Sequence, residues 1–177
     1  MRKYHFLGAV GVFLADQASK WLITQRIALH ESITVIPGFF RLTHVVNRGA
    51  AFGLLSDSEW NVAILILFSL VALAVVSALL WRNSHRVSTT GFGLALILGG
   101  AVGNLWDRLL DGHVVDFLDF HLGGYHWPAF NVADSAIVLG ALLLVAEILF
   151  TKAPAGKRLS PAARPGPRPA ITPRSDA

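Results

Sequence analysis

The sequence predicts an all-α integral membrane protein with four transmembrane helices. Three observations lead there. Of the 177 residues, 54% are hydrophobic and only 15% charged, which is far from the balance of a soluble globular domain. Four apolar stretches, at about 4–25, 60–81, 87–108 and 130–150, are each long enough to cross a bilayer. The stretches between them, 26–59 and 109–129, are too polar and too punctuated by Pro and Gly to span.

The first span begins Met1-Arg2-Lys3 and runs into Phe6 to Ala15, the pattern of a secretory signal peptide. No small-x-small cleavage site follows; Asp16, Gln17, Ser19 and Lys20 come instead, and Trp21, Leu22 and Ile23 resume the apolar pattern. Residues 4–25 therefore read as a retained helix. Asp16 and Lys20, four apart, share a helix face and can pair. The pair is either structural or a brace behind a functional site.

In the first loop, Ser32 to Ile36 and Phe39 to Val46 flank Pro37-Gly38 and read as two strands about a turn. Asn47-Arg48-Gly49-Ala50-Ala51-Phe52-Gly53 follows. Its small residues permit close backbone approach to an extended peptide; a tight turn under the sheet is the simpler reading. The second span, between Trp60 and Trp81, carries no charge and has an interfacial tryptophan at each end.

Five glycines mark the third span, at 91, 93, 99, 100 and 103, and predict close helix packing. Its end places Asn104, Asp107 and Arg108 on one face, where Asp107 and Arg108 alone read as a charged cap. The second loop, 109–129, holds Asp111, Asp116, Asp119, His121 and His126. The fourth span has Asp134 near its start and Glu147 near its end; Glu147 is expected to snorkel or pair with Lys152 and is given no function.

From Thr151 the composition changes. Six of the eight prolines and six of the fifteen basic residues lie in this tail, 151–177, which is expected to be disordered, basic and cytoplasmic. The net charge of +4 thus describes mainly the tail, and nucleic-acid binding gains little support. Arg2, Lys3, Arg82, Arg86 and the tail fall on one side of a four-span topology, so both termini are expected in the cytoplasm and both long loops outside.

The absence of cysteine excludes thiol catalysis, disulfides and thiolate metal sites. Neither a His-Glu-x-x-His motif nor a Gly-x-Ser-x-Gly elbow is present, so no metal and no cofactor is expected. What remains is carboxylate chemistry. Asp134 sits in an apolar run, where an ionisable group is a functional hypothesis by default. Asp116 lies just beyond the third span, and two carboxylates brought together can divide acid and base roles.

Five blocks resemble the lipoprotein signal peptidase (signal peptidase II) family: 16–20 (Asp-Gln-Ala-Ser-Lys), 47–53, 99–108 (ending Asn104-Leu105-Trp106-Asp107-Arg108), 115–117 (Val-Asp-Phe) and 130–135 (Phe-Asn-Val-Ala-Asp-Ser). The resemblance implies a bundle over 1–150 with a small extracytoplasmic β-cradle and a short extracytoplasmic helix. It also implies an aspartic endopeptidase of the bacterial cytoplasmic membrane, with Asp116 and Asp134 as the catalytic dyad. Asn104, Arg108 and Asn131 match residues lining the site, Asn47 and Gly49 the loop over it, and Asp16 and Lys20 a supporting pair. The implied substrates are diacylglyceryl-modified prolipoproteins, cut on the N-terminal side of the lipidated cysteine beside the membrane lipids by a monomer. A transporter relaying charge through Asp16, Lys20, Asp107, Arg108 and Asp134, or a non-catalytic assembly factor, are the competing readings.

Overall fold

A computed structural model describes residues 2–49, 60–83 and 88–150. Four long helices carry the fold: α1 (Arg2–Arg26), α2 (Asn61–Asn83), α3 (Thr89–Leu110) and α4 (Val132–Phe150). All four are long and apolar enough to cross a membrane. Between them lie β1 (Ser32–Ile36), β2 (Phe40–Asn47), β3 (Val114–Leu122) and β4 (Tyr125–His126). Residues 50–59 and the tail 151–177, with Lys152, lie outside the described residues.

The glycines decide which helix is central. Helix α3 packs against the other three helices. A Cβ at Gly99 would collide with the Ala9 carbonyl of α1, and one at Gly100 with the Ala133 carbonyl of α4. At Gly103 it would lie 2.5 Å from the Asp16 carboxylate. Absent side chains on α3 thus let α1 and α4 approach to backbone contact, as small residues do where lipid supplies no hydrophobic drive between helices. Ala9, Leu80, Leu94, Ala95 and Leu98 form the apolar core of the bundle.

Helix ends follow local capping. The expected starts at 87 and 130 move to 89 and 132 because Ser88 and Asn131 sit before the first turns. The Ser88 side chain accepts from the Gly91 amide, a standard N-cap arrangement.

The expected hairpin about Pro37-Gly38 forms as β1 and β2. The stretch 109–129 is more than a loop: its centre is β3, the longest strand, antiparallel to β2 in a sheet ordered β1-β2-β3-β4. Val114 to Leu122 supplies β-branched and aromatic residues at strand density, which is why it pairs. Ile23 of α1 and Ile27 just beyond its end pack on Phe117, seating the sheet on one end of the bundle. Among the described residues no short helix lies outside the four long ones.

Candidate active site

At the sheet end of the bundle, a cavity of about 190 Å³ is lined by Asn47, Gly49, Asn104, Arg108, Asp116 and Asp134, with Trp127, Pro128 and Ala129 along its wall. Asn47, Gly49 and Asp116 come from the sheet and the turn after it, Asn104 and Arg108 from α3, and Asp134 from α4. Six of the nine residues singled out from the sequence thus face one space; Asn131, Asp16 and Lys20 stand directly behind it.

Asn131 joins the two aspartates. It is fully buried, and its side-chain Nδ2 donates to Asp116 Oδ1 at 2.7 Å. Its Oδ1 accepts from the Asp134 amide at 2.9 Å, while its own backbone N–H donates to Asp134 Oδ2 at 3.3 Å. This is a capping box: the residue before the helix and the third residue in it satisfy each other's amides. Asp134 therefore lies in the first turn of α4, one oxygen committed to the cap and the other accepting from Asn104 Nδ2 at 2.7 Å.

Asp116 is held from the sheet side. Val45 and Asn47 of β2 pair with Asp116 and Val114 of β3, so the Asn47 side chain stands beside the carboxylate. Its Nδ2 donates to Asp116 Oδ2 at 2.9 Å, and its Oδ1 accepts from the Gly49 amide at 3.0 Å. Burial pushes the Asp116 carboxyl up from the usual 3.8 to about 6. The hydrogen bond from Asn47 pulls the other way, and the charge of Asp134 adds to the rise. A pair in which one carboxyl resists ionisation can hold a single proton near neutrality, leaving one group as acid and the other as base.

Behind the cavity the Asp16–Lys20 pair forms at 2.7 Å, and it has a third member. Lys20 Nζ also donates to Asp107 Oδ2 at 2.6 Å and to Asn104 Oδ1 at 3.0 Å, which uses all three ammonium protons. Because Lys20 claims the Asn104 carbonyl oxygen, the Asn104 NH₂ must face Asp134. Asp16 reaches further: its Oδ1 accepts from the Ala133 amide at 2.8 Å, satisfying another N-terminal donor of α4. Through these contacts the pair ties α1 to α3 and to the start of α4.

Asp107 is more than the charged cap it reads as alone. It is 6% exposed, ion-paired to Lys20 and bonded to Gln17 Nε2 at 2.8 Å. The available signals were its position one α-helical turn after Asn104 and the family-like blocks 99–108 and 16–20, which hold Asp107 and Gln17. Arg108 lines the cavity, and its guanidinium donates to the Asn104 carbonyl at 3.2 Å. A cluster among the described residues whose ligand atoms lie close enough to hold a metal ion, Asp119, His121 and His126, lies outside the cavity.

Known proteins resemble this chain along most of its length. The sequence model of the family described as signal peptidase (SPase) II matches residues 8–150. A lipoprotein signal peptidase of Desulforapulum autotrophicum is 51% identical over 151 residues, covering 81% of this chain and 90% of that protein. One of Solibacter usitatus is 46% identical over 144 residues, covering 80% and 87%. A solved structure described as a bacterial membrane enzyme superposes with a TM-score of 0.75 at 31% identity, over 83% of this chain and 88% of that one. A second, at 28% identity, gives 0.76.

Proposed function

The chain belongs to the signal peptidase II family, and from that premise we propose that Asp116 and Asp134 cut prolipoproteins on the N-terminal side of a diacylglyceryl-modified cysteine. The observation that carries the assignment is Asn131, which holds one carboxylate through its side-chain NH₂ and the other through a capping box. No competing reading explains why a helix cap should be tied to a buried strand aspartate.

In this cycle Asp116, the more buried group, serves first as the acid and Asp134 as the base. Asp134 takes a proton from a water as its oxygen attacks the scissile carbonyl carbon, while Asp116 gives its proton to the carbonyl oxygen. Collapse of the tetrahedral intermediate reverses the roles. Asp134 gives its proton to the leaving nitrogen, Asp116 recovers one from the intermediate's hydroxyl, and both return to their starting states. The Asn47–Gly49 turn and the Trp127–Ala129 segment both line the cavity, and in this proposal they grip the extended signal-peptide end.

The positive-inside pattern puts the sheet end outside the cytoplasmic membrane and both termini inside. The lipid chains of the substrate then remain in the outer leaflet beside the exposed Trp106, Leu109 and Leu110 at the end of α3. The enzyme works as a monomer over residues 1–150, with the basic tail lying along anionic lipid.

The test is cleavage of a diacylglyceryl-modified prolipoprotein by purified protein in detergent, with EDTA present. Wild type should cut before the lipidated cysteine, and Asp116→Asn and Asp134→Asn should fold but not cut. Full activity in either variant would show that the pairing of carboxylates is wrong.

A further inference from the structure

The outer edge of the sheet carries a second constellation of chemistry that the peptidase does not use. Asp119 and His121 are two apart on β3 and so share a face. His126 of β4 stands directly opposite His121 in the antiparallel register. That register is pinned by a two-residue connection, Gly123-Gly124, in which Gly123 has φ +59°, a conformation glycine adopts without strain. One ligand atom from each of the three side chains falls within 4.8 Å of the other two.

We infer that Asp119, His121 and His126 form a binding site for a divalent transition-metal ion of the zinc class, clasping the β3–β4 hairpin. Two imidazoles and one carboxylate are the donor set such ions select, whereas calcium and magnesium prefer all-oxygen shells. The electronic arrangement of Asp119 suits the role. Arg41, its register partner on β2, bonds Oδ2 through Nε at 2.9 Å, which leaves Oδ1 facing His126 Nδ1 at 3.9 Å. That guanidinium contact orients the carboxylate as outer partners of metal ligands do.

His121 supplies an independent sign. Its Nδ1 is buried without a hydrogen-bond partner, an arrangement that costs free energy unless something coordinates or bonds the ring. The imidazoles of His121 and His126 stack with centroids 5.2 Å apart and planes within 13°, so a small slide of one ring brings both nitrogens to one ion. Donors on a four-coordinate zinc lie roughly 3.5 Å from each other. The closure of about 1 Å this requires is available to His126, whose side chain is 57% exposed and leaves an entry path.

The site is separate from the dyad. None of its residues lines the cavity. Its effect on the enzyme is mechanical: β4 runs directly into Trp127, Pro128 and Ala129, which wall the cavity. The inference stands whether or not the dyad is correctly assigned.

Full-length protein purified without a histidine tag, stripped with EDTA and desalted, would be titrated with ZnCl₂ by calorimetry and with CoCl₂ by visible absorption. One equivalent should bind, with ligand-field bands from cobalt, and zinc should slow amide exchange across residues 121–129. His126→Gln and His121→Gln should each lose more affinity than the roughly 10–100-fold typical of losing an outer partner, while His113→Gln retains it. Cleavage of lipidated substrate in EDTA verifies that each variant is folded; should His121→Gln fail this, the exposed His126→Gln decides alone. No saturable zinc in wild type, unchanged affinity in His126→Gln, or equal loss in His113→Gln would overturn the site.

Discussion

Asn131 makes two separable contributions, and substitution can divide them. Its Oδ1 caps α4 through the Asp134 amide at 2.9 Å, and its Nδ2 holds Asp116 at 2.7 Å. Losing an N-cap costs about 1 kcal/mol. Stripping a buried carboxylate of one of its two side-chain donors costs about 2 kcal/mol more. Asn131→Ala should therefore lower unfolding free energy by roughly 3 kcal/mol. It should also reduce kcat/KM by about 100-fold, the scale of a reacting group displaced by about 1 Å. Asn131→Ser restores the capping oxygen but is too short to donate to Asp116. It should recover about 1 kcal/mol of the lost stability and almost none of the activity. The assay pairs thermal unfolding in detergent with the rate of lipidated-substrate cleavage. If Ser and Ala are equally destabilised the capping role is wrong, and if Ser restores cleavage the hold on Asp116 is irrelevant to catalysis.

Three further outcomes follow from other parts of the site. With the Asp116 carboxyl raised from 3.8 to about 6, the native state binds more protons than the unfolded chain between those values. Wild type should therefore lose stability relative to Asp116→Asn as pH rises from about 4 to about 6, by up to about 3 kcal/mol, and regain none of it above; a flat difference across that window would refute the raised value. Lys20→Met leaves Asp16 and Asp107 buried without their cation, so it should destabilise by about 3–5 kcal/mol and leave the Asn104 oxygen held by Asn131 alone. Unfolding curves check the first effect, and a stable, fully active variant would remove the brace. Gly100→Ala drives a methyl into the Ala133 carbonyl and should cost about 1–3 kcal/mol, whereas Gly11→Ala, which meets nothing within 4 Å, should be neutral or slightly stabilising.

The four spans were legible because hydrophobic length is a one-dimensional property, and the hairpin because Pro37-Gly38 punctuates two strands. The glycine stripe of α3 was legible as packing, since small residues in an apolar run have few other uses. Residues 109–129 were harder. Aspartates and histidines there advertise a polar loop, yet Asp116 and Asp119 are buried in β3 because the facing strand supplies Asn47 and Arg41 as partners. Polarity counts against burial only until the partner is known, and the partner lies more than 60 residues away. Asp107 was incompletely legible for the same reason: a charge at a helix end reads as a cap alone until Lys20, from another helix, is seen against it. Within the site, the family blocks pointed to Asp16, Lys20, Asn104 and Asn131 as members but could not say what each bonds.

The bonding explains why three of these blocks each carry an asparagine. An asparagine offers an acceptor and two donors on one rigid amide, so fixing one end fixes the other. Lys20 takes the Asn104 oxygen, which aims its NH₂ at Asp134; the α4 cap takes the Asn131 oxygen, which aims its NH₂ at Asp116; the Gly49 amide takes the Asn47 oxygen, which aims its NH₂ at Asp116 as well. In each case a feature with its own structural reason, an ion pair, a helix terminus or a turn, sets the polarity of an amide facing a carboxylate. Replacing any of the three by aspartate preserves shape and the outward acceptor but turns the inward donor into a second acceptor. Asn104→Asp, Asn131→Asp and Asn47→Asp should therefore each cut cleavage more than they reduce stability. In Asn47→Asp and Asn131→Asp the Asp116 carboxyl should also titrate higher, read from ¹³C-aspartate NMR shifts. An Asn47→Asp variant with Asp116 still titrating at about 6 would show that the amide orients the carboxylate without setting its charge.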